Sequence, residues 1–151
     1  MPEGAAAPAR SARPTASGPG RVLVAVYGVF ALAATSRAAV QLVTDFAEAP
    51  LAYVLSAFSA VVYVVATVAL ATDRRWSRPL AVAACSVELA GVLAIGTLSL
   101  LRPEDFPRAT VWSGYGSGYG FVPLVLPVIG LWWLRRTSGA PAPDAERSRR
   151  R

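Results

Sequence analysis

Four long apolar runs, separated by short charged connections, leave this chain few ways to fold. They cover Val22–Val43, Pro50–Ala71, Pro79–Leu101 and, roughly, Tyr119–Leu134. A helix needs about 20 residues to cross a hydrocarbon core of ~30 Å, and the first three runs meet that length. The fourth has a shorter strongly apolar part, Phe121–Leu134, and reaches spanning length only if Tyr115–Gly120 join it. Pro123 and Pro127 lie inside it, which predicts a kinked helix. The runs are apolar on both parities, so they do not read as barrel strands, which alternate polar and apolar residues. Charged residues make up only 16% of the chain, against about 25% in soluble domains. The expected fold class is an all-α membrane protein, a bundle of four transmembrane helices at about 22–43, 50–71, 79–101 and 115–134 inside a domain spanning 21–136. Residues 1–20 and 137–151 are rich in Pro, Ala, Ser, Gly and Arg and read as disordered tails, the second one basic.

The arginines orient the bundle. The N-terminal tail, the connection between the second and third runs, and the C-terminal tail carry Arg10, Arg13, Arg21, Arg74, Arg75, Arg78, Arg135, Arg136, Arg147, Arg149, Arg150 and Arg151. The other two connections hold only Arg102 and Arg108, beside Asp45, Glu48, Glu104 and Asp105. The positive-inside rule puts both termini in the cytoplasm of a multi-pass plasma-membrane protein. Trp76, Trp132 and Trp133 fall at the inner interface by this reading, and Tyr53, Trp112, Tyr115 and Tyr119 at the outer one. The start of the first run also fits a signal peptide, with Ala31-Leu32-Ala33 as the cleavage site, but apolar character continuing to Val43 favours a retained helix. Pro50 and Pro79 suit helix first turns, and Ser77 reads as an N-cap.

Glu88 is the sharpest single signal. It lies about 15 Å into the third helix, near the bilayer midplane, where a charge is costly and must face the bundle and find a partner. Arg37, about 10 Å below the outer end of the first helix, is one partner; it also has the reach to snorkel outward to Asp45 or Glu48. Tyr63, at a depth similar to that of Glu88, is a second. Arg37, Gln41, Thr44 and Glu48 share one helical face and form either a polar cleft or a polar seam. The candidate intramembrane polar site is therefore Arg37, Gln41, Tyr63 and Glu88, with Glu88 expected to be held by Arg37, by Tyr63, or by both.

The segment Trp112–Gly120 contains Gly-Tyr-Gly twice, but no apolar pore helix precedes it, so it reads as an aromatic interfacial loop rather than an ion filter. Small residues recur at four-residue spacing at Ala34/Ala38, Ser56/Ala60, Ser86/Ala90/Ala94, Gly114/Gly118 and Gly116/Gly120, a pattern that lets helices approach closely. Asp45-Phe46 and Asp105-Phe106 occupy matching places in the two halves, a faint internal repeat.

Trp112-Ser113-x-Tyr115-Gly116-x-Gly118-Tyr119, Pro123-Leu124-x-Leu126-Pro127, Leu131-Trp132-Trp133-Leu134-Arg135-Arg136 and the segment Glu88–Leu93 together resemble a group of small, uncharacterised four-helix integral membrane proteins of actinobacteria. The likeness covers about residues 21–136 and implies a membrane location without implying an activity.

The chain has no histidine and no lysine, and one cysteine, Cys85, which reads as a small buried hydrophobe. Histidine-based acid–base catalysis, a His/Cys zinc site, a lysine Schiff base and an internal disulfide are excluded, and neither an enzyme nor a cofactor is expected. Two functions remain. One is a non-catalytic scaffold or regulatory partner of another membrane protein, or of a second copy. The other is a binder or carrier of a small molecule, ion or lipid that uses Glu88 and Arg37. The lipid bilayer is the expected partner in both, with Arg147, Arg149, Arg150 and Arg151 contacting anionic lipid and no role for nucleic acid.

Overall fold

A computed structural model describes residues 18–44 and 46–138, and every regular element among them is helical. Helix α1 spans Pro19–Thr44, α2 Pro50–Ala71, α3 Ser77–Leu101 and α4 Val122–Ser138. A one-turn 3-10 segment, Pro103–Asp105, and a longer one, Ser113–Tyr119, lie between α3 and α4. Three of the helices are long and apolar enough to cross a membrane, and a fourth span results if Ser113–Tyr119 and Val122–Thr137 count as one broken unit. Apart from residues 18–20 and 137–138, the two expected tails lie outside the described residues, as does Asp45.

The helix ends differ from expectation at four places, one of them the end of α4, which runs to Ser138 rather than stopping at Leu134. Helix α1 starts at Pro19 rather than Val22, because a proline in the first turn lacks only an N–H that would have no helical partner. Ser77 is the first residue of α3 and not its cap; its hydroxyl donates to the Arg74 carbonyl at 2.7 Å and accepts from the Arg74 N–H at 3.1 Å, closing the α2–α3 loop. Tyr115–Gly120 do not extend α4. Tyr115–Tyr119 belong to a segment bent by 99° from it, which Gly120 ends as its C-cap. The bend comes from successive left-handed residues at Gly114, Tyr115 and Gly116, then Gly120 and Phe121. Glycine adopts that conformation freely, and Tyr115 and Phe121 are carried into it. Pro127 lies inside α4, downstream of the bend.

Consecutive helices pack side by side, α1 on α2, α2 on α3 and α3 on α4, with a thin seam between α1 and α4. Gly20, Arg74, Ser77, Arg78, Trp133 and Leu134 line one pocket, so the start of α1, the α2–α3 loop and the end of α4 gather at one end. The Arg78 guanidinium donates to the Leu134 carbonyl there. At the opposite end Arg108 pairs with Glu48 at 2.9 Å, tying the α3–α4 connection to the α1–α2 connection.

The packing is inverted relative to a soluble protein. Ala31, Ala34, Ala38, Ala60, Ala66, Ala69, Ala81 and Ala84 are buried, whereas Val22, Leu32 and Val43 are 65%, 73% and 86% exposed. Branched aliphatics covering the outside of a bundle with a small-residue interior suit a lipid surround, in which close backbone approach stabilises helix contacts. Of the four-residue repeats, Ala34/Ala38 and Ser56/Ala60 are buried, while Ser86, Ala90 and Ala94 face outward.

Candidate functional site

The polar residues of the bundle fall into two groups, one deep and one near the end that holds Arg108. In the deep group Glu88 is fully buried, and its Oε2 accepts a hydrogen bond of 2.8 Å from the Tyr27 hydroxyl. The same hydroxyl lies 3.3 Å from Cys85 Sγ, one turn earlier on α3. Helix α4 meets this cluster at Gly130, where an added Cβ would lie 3.0 Å from Cys85 Sγ and 3.4 Å from the Tyr27 hydroxyl. A larger residue there would push α4 off the cluster. The Tyr63 ring packs 6.2 Å from Tyr27 and 5.6 Å from Phe30, centroid to centroid, and its hydroxyl faces Glu88 and the Trp112 indole. Tyr63 Oη, Glu88 Oε1 and Trp112 Nε1 are all buried without a hydrogen-bond partner.

Trp112 closes the group from above. It is 1% exposed and stacks edge-on against Phe58, and an added Cβ on Gly91 would come within 2.5 Å of its ring. Gly91 lies ten residues, about 15 Å, before the end of α3, so the α3–α4 connection drives an indole deep between α2 and α3. Tyr115 repeats the contact higher up, over Gly96. Trp112 therefore lies inside the bundle rather than on its surface, and Tyr53 is buried as well. The Trp112 loop is held by Thr110 Oγ1, which accepts from the N–H groups of Trp112 and Ser113, and by Ser99 Oγ, which accepts from Gly114 N–H at 2.9 Å.

The second group centres on Arg37. Its two terminal nitrogens donate to the Tyr119 hydroxyl at 2.6 Å and to the Ala109 carbonyl at 2.8 Å. It reaches neither Glu88 nor Glu48; Glu48 pairs with Arg108. Gln41, one turn along α1, has a buried side-chain oxygen without a partner. Arg37, Tyr119 and Ala109 help line a cavity of about 460 Å³ that opens at this end and includes Ser99, Thr110, Ser113 and Ser117.

The structure thus brings Tyr63 and Glu88 together and leaves Arg37 and Gln41 in another place. The expectation that Glu88 is held by Arg37, by Tyr63, or by both is corrected: its hydrogen bond comes from Tyr27, and Tyr63 lies beside it without one. Counted from the observed helix starts, Tyr27 is eight steps along α1, Arg37 eighteen, and Glu88 eleven along the parallel α3. The offset is about 4–5 Å for Tyr27 and about 10 Å for Arg37, so depth matching from the correct start of α1 selects Tyr27. The sequence signal for Trp112 was Gly91 itself. An isolated glycine inside a helix is unfavourable and usually has a packing reason.

No family model matches the chain, and no curated protein or solved structure matches it.

Proposed function

We propose that this chain is a non-catalytic, four-span plasma-membrane protein with both termini in the cytoplasm, acting as a scaffold or regulatory partner of another membrane protein. The single observation that carries this reading is the outward-facing row Ser86, Ala90 and Ala94 on α3, which the chain's own packing leaves uncovered. Small residues at four-residue spacing are how one membrane helix seats another. In this reading the end that gathers Arg74, Arg75 and Arg78 faces the cytoplasm, where Arg147, Arg149, Arg150 and Arg151 add attraction to anionic lipid. Pro127 removes one ladder hydrogen bond from α4 and gives the fourth span a local bend. Kinship with the small actinobacterial membrane proteins belongs to the same proposal.

The test is site-directed crosslinking in native membranes, in a Cys85→Ala background. Ser86→Cys, Ala90→Cys and Ala94→Cys should each give one discrete crosslinked product, and Val61→Cys, on an exposed face of α2, should give none. Uniform crosslinking at all four positions would sink the reading. For orientation, Ala109→Cys should label with an impermeant thiol reagent in intact cells and Ser148→Cys should not.

A second reading, a binder of a small polar ligand, is favoured by the three unpartnered buried atoms around Glu88. Buried polar groups are normally satisfied, and a water or small polar molecule bonded to Glu88 Oε1, Tyr63 Oη and Trp112 Nε1 would satisfy all three. A bound mass retained in native mass spectrometry and lost in Glu88→Gln would support it; a bare mass for the wild type would count against it.

A further inference from the structure

We propose that the cavity around Arg37 is a binding site for a small oxyanion, a carboxylate or a phosphate. It is separate from the outward row on α3 and does not depend on the partner reading.

The argument starts from charge. Arg37 lies seven residues, about 10 Å, before the end of α1, inside a segment apolar enough to span. A guanidinium held there among neutral groups is stabilised by an opposite charge placed beside it. Among the described residues no carboxylate pairs with Arg37. Of the acidic residues described at this end, Glu48 pairs with Arg108 at 2.9 Å and Asp105 with Arg102 at 3.5 Å, and Glu104 makes no ion pair with Arg37. Among the described residues that line the cavity, Arg37 is the one that is charged. Its protein partners, a phenol and a backbone carbonyl, are neutral.

Geometry then supplies the donors. Each terminal guanidinium nitrogen carries two N–H groups and uses one in the protein, so two remain. Because Tyr119 accepts from Arg37, its own O–H proton is left to donate. The Tyr119 ring is fixed against Phe30, with centroids 6.1 Å apart, so its hydroxyl is pre-positioned. Ser117 is exposed at the rim and adds a hydroxyl. Two guanidinium N–H groups and a phenol O–H around an open cavity match the paired oxygens of a carboxylate or phosphate. The volume of about 460 Å³ admits a small molecule bearing such a group.

The test uses the full chain purified in an uncharged detergent. Its unfolding midpoint is followed by tryptophan fluorescence while millimolar sodium phosphate or sodium acetate replaces sodium chloride at constant ionic strength. The midpoint should rise with either oxyanion, in proportion to the logarithm of its concentration above the dissociation constant. Arg37→Gln should abolish the rise. A salting effect of phosphate on the whole surface would persist in that variant, and its persistence would overturn the proposal. Should Arg37→Gln fail to fold, Tyr119→Phe, which removes one hydroxyl, should weaken the response about tenfold. An unchanged response in Tyr119→Phe would then overturn the proposal. Doping the micelles with phosphatidylglycerol separates the sources. Competition with free phosphate identifies a lipid headgroup as the occupant, an undisturbed phosphate titration identifies a soluble anion, and either supports the oxyanion site.

Discussion

Glu88 and Arg37 are ionisable groups within helices that read as membrane spans, yet their surroundings differ. Glu88 is sealed among Tyr27, Cys85, Tyr63 and Trp112, and one carboxylate oxygen holds a phenol hydroxyl at 2.8 Å. Arg37 is half-buried, held by Tyr119 and Ala109, and looks into a cavity open at the bundle end. The difference teaches that a charge-bearing residue in an apolar run need not seek the other such residue. A neutral hydroxyl at the right depth is a nearer partner than an opposite charge several residues farther along. The carboxylate then contributes to packing, while the guanidinium keeps donors for something outside the chain.

The comparison breaks most severely at Trp112, which seals the deep group from the open one. Trp112→Ala should cost about 3–5 kcal/mol, in the range of large-to-small core substitutions, measured by reversible unfolding in mixed micelles. A surface-like loss of under about 0.5 kcal/mol would show that the loop does not reach Gly91. Filling the other side of that contact, Gly91→Val should cost about 1–3 kcal/mol, because the new side chain meets the ring.

Next in size is the hydroxyl that holds the carboxylate. Tyr27→Phe leaves both Glu88 oxygens unpartnered and should cost about 1–3 kcal/mol. Combined with Glu88→Leu, which removes the acceptor, the two losses should be non-additive by about 0.5–3 kcal/mol, since the residues share one hydrogen bond. The same cycle on Arg37→Ala and Glu88→Gln should instead be additive to within about 0.5 kcal/mol, and the exchange Arg37→Glu with Glu88→Arg should rescue nothing. Rescue by the exchange would restore a direct ion pair and erase the distinction drawn between the two groups. The smallest effect belongs to the exposed pair of Arg108 and Glu48, where Arg108→Ala should cost about 0–1 kcal/mol, less in high salt.

The location of the helices was legible because it depends on local properties. Apolar length, Pro50 at a helix start and the absence of alternation settle α1, α2 and α3 without reference to any neighbour. Glu88 was singled out for the same reason, since the cost of a buried carboxylate is a property of its own position along a span. The bend before α4 was harder to read. The glycines at 114, 116 and 120 signal freedom, and freedom does not specify a direction; Tyr115 lying on Gly96 does. Trp112 was misplaced because an aromatic near a helix end favours the interface on average, whereas here the gap above Gly91 accepts the whole ring.

The sequence by itself determined that this chain is helical, that most of it suits hydrocarbon, and that a carboxylate would have to be accommodated deep inside it. These follow from per-residue transfer free energies and backbone preferences, which add along the chain. Only the tertiary structure decided which hydroxyl holds Glu88, that Arg37 turns to a cavity instead, and that an indole from a distant connection caps the deep group. Those outcomes depend on the relative rotation and axial offset of packed helices. One residue is 1.5 Å of rise and 100° of turn, so shifting the start of α1 by three residues is enough to exchange one partner for another.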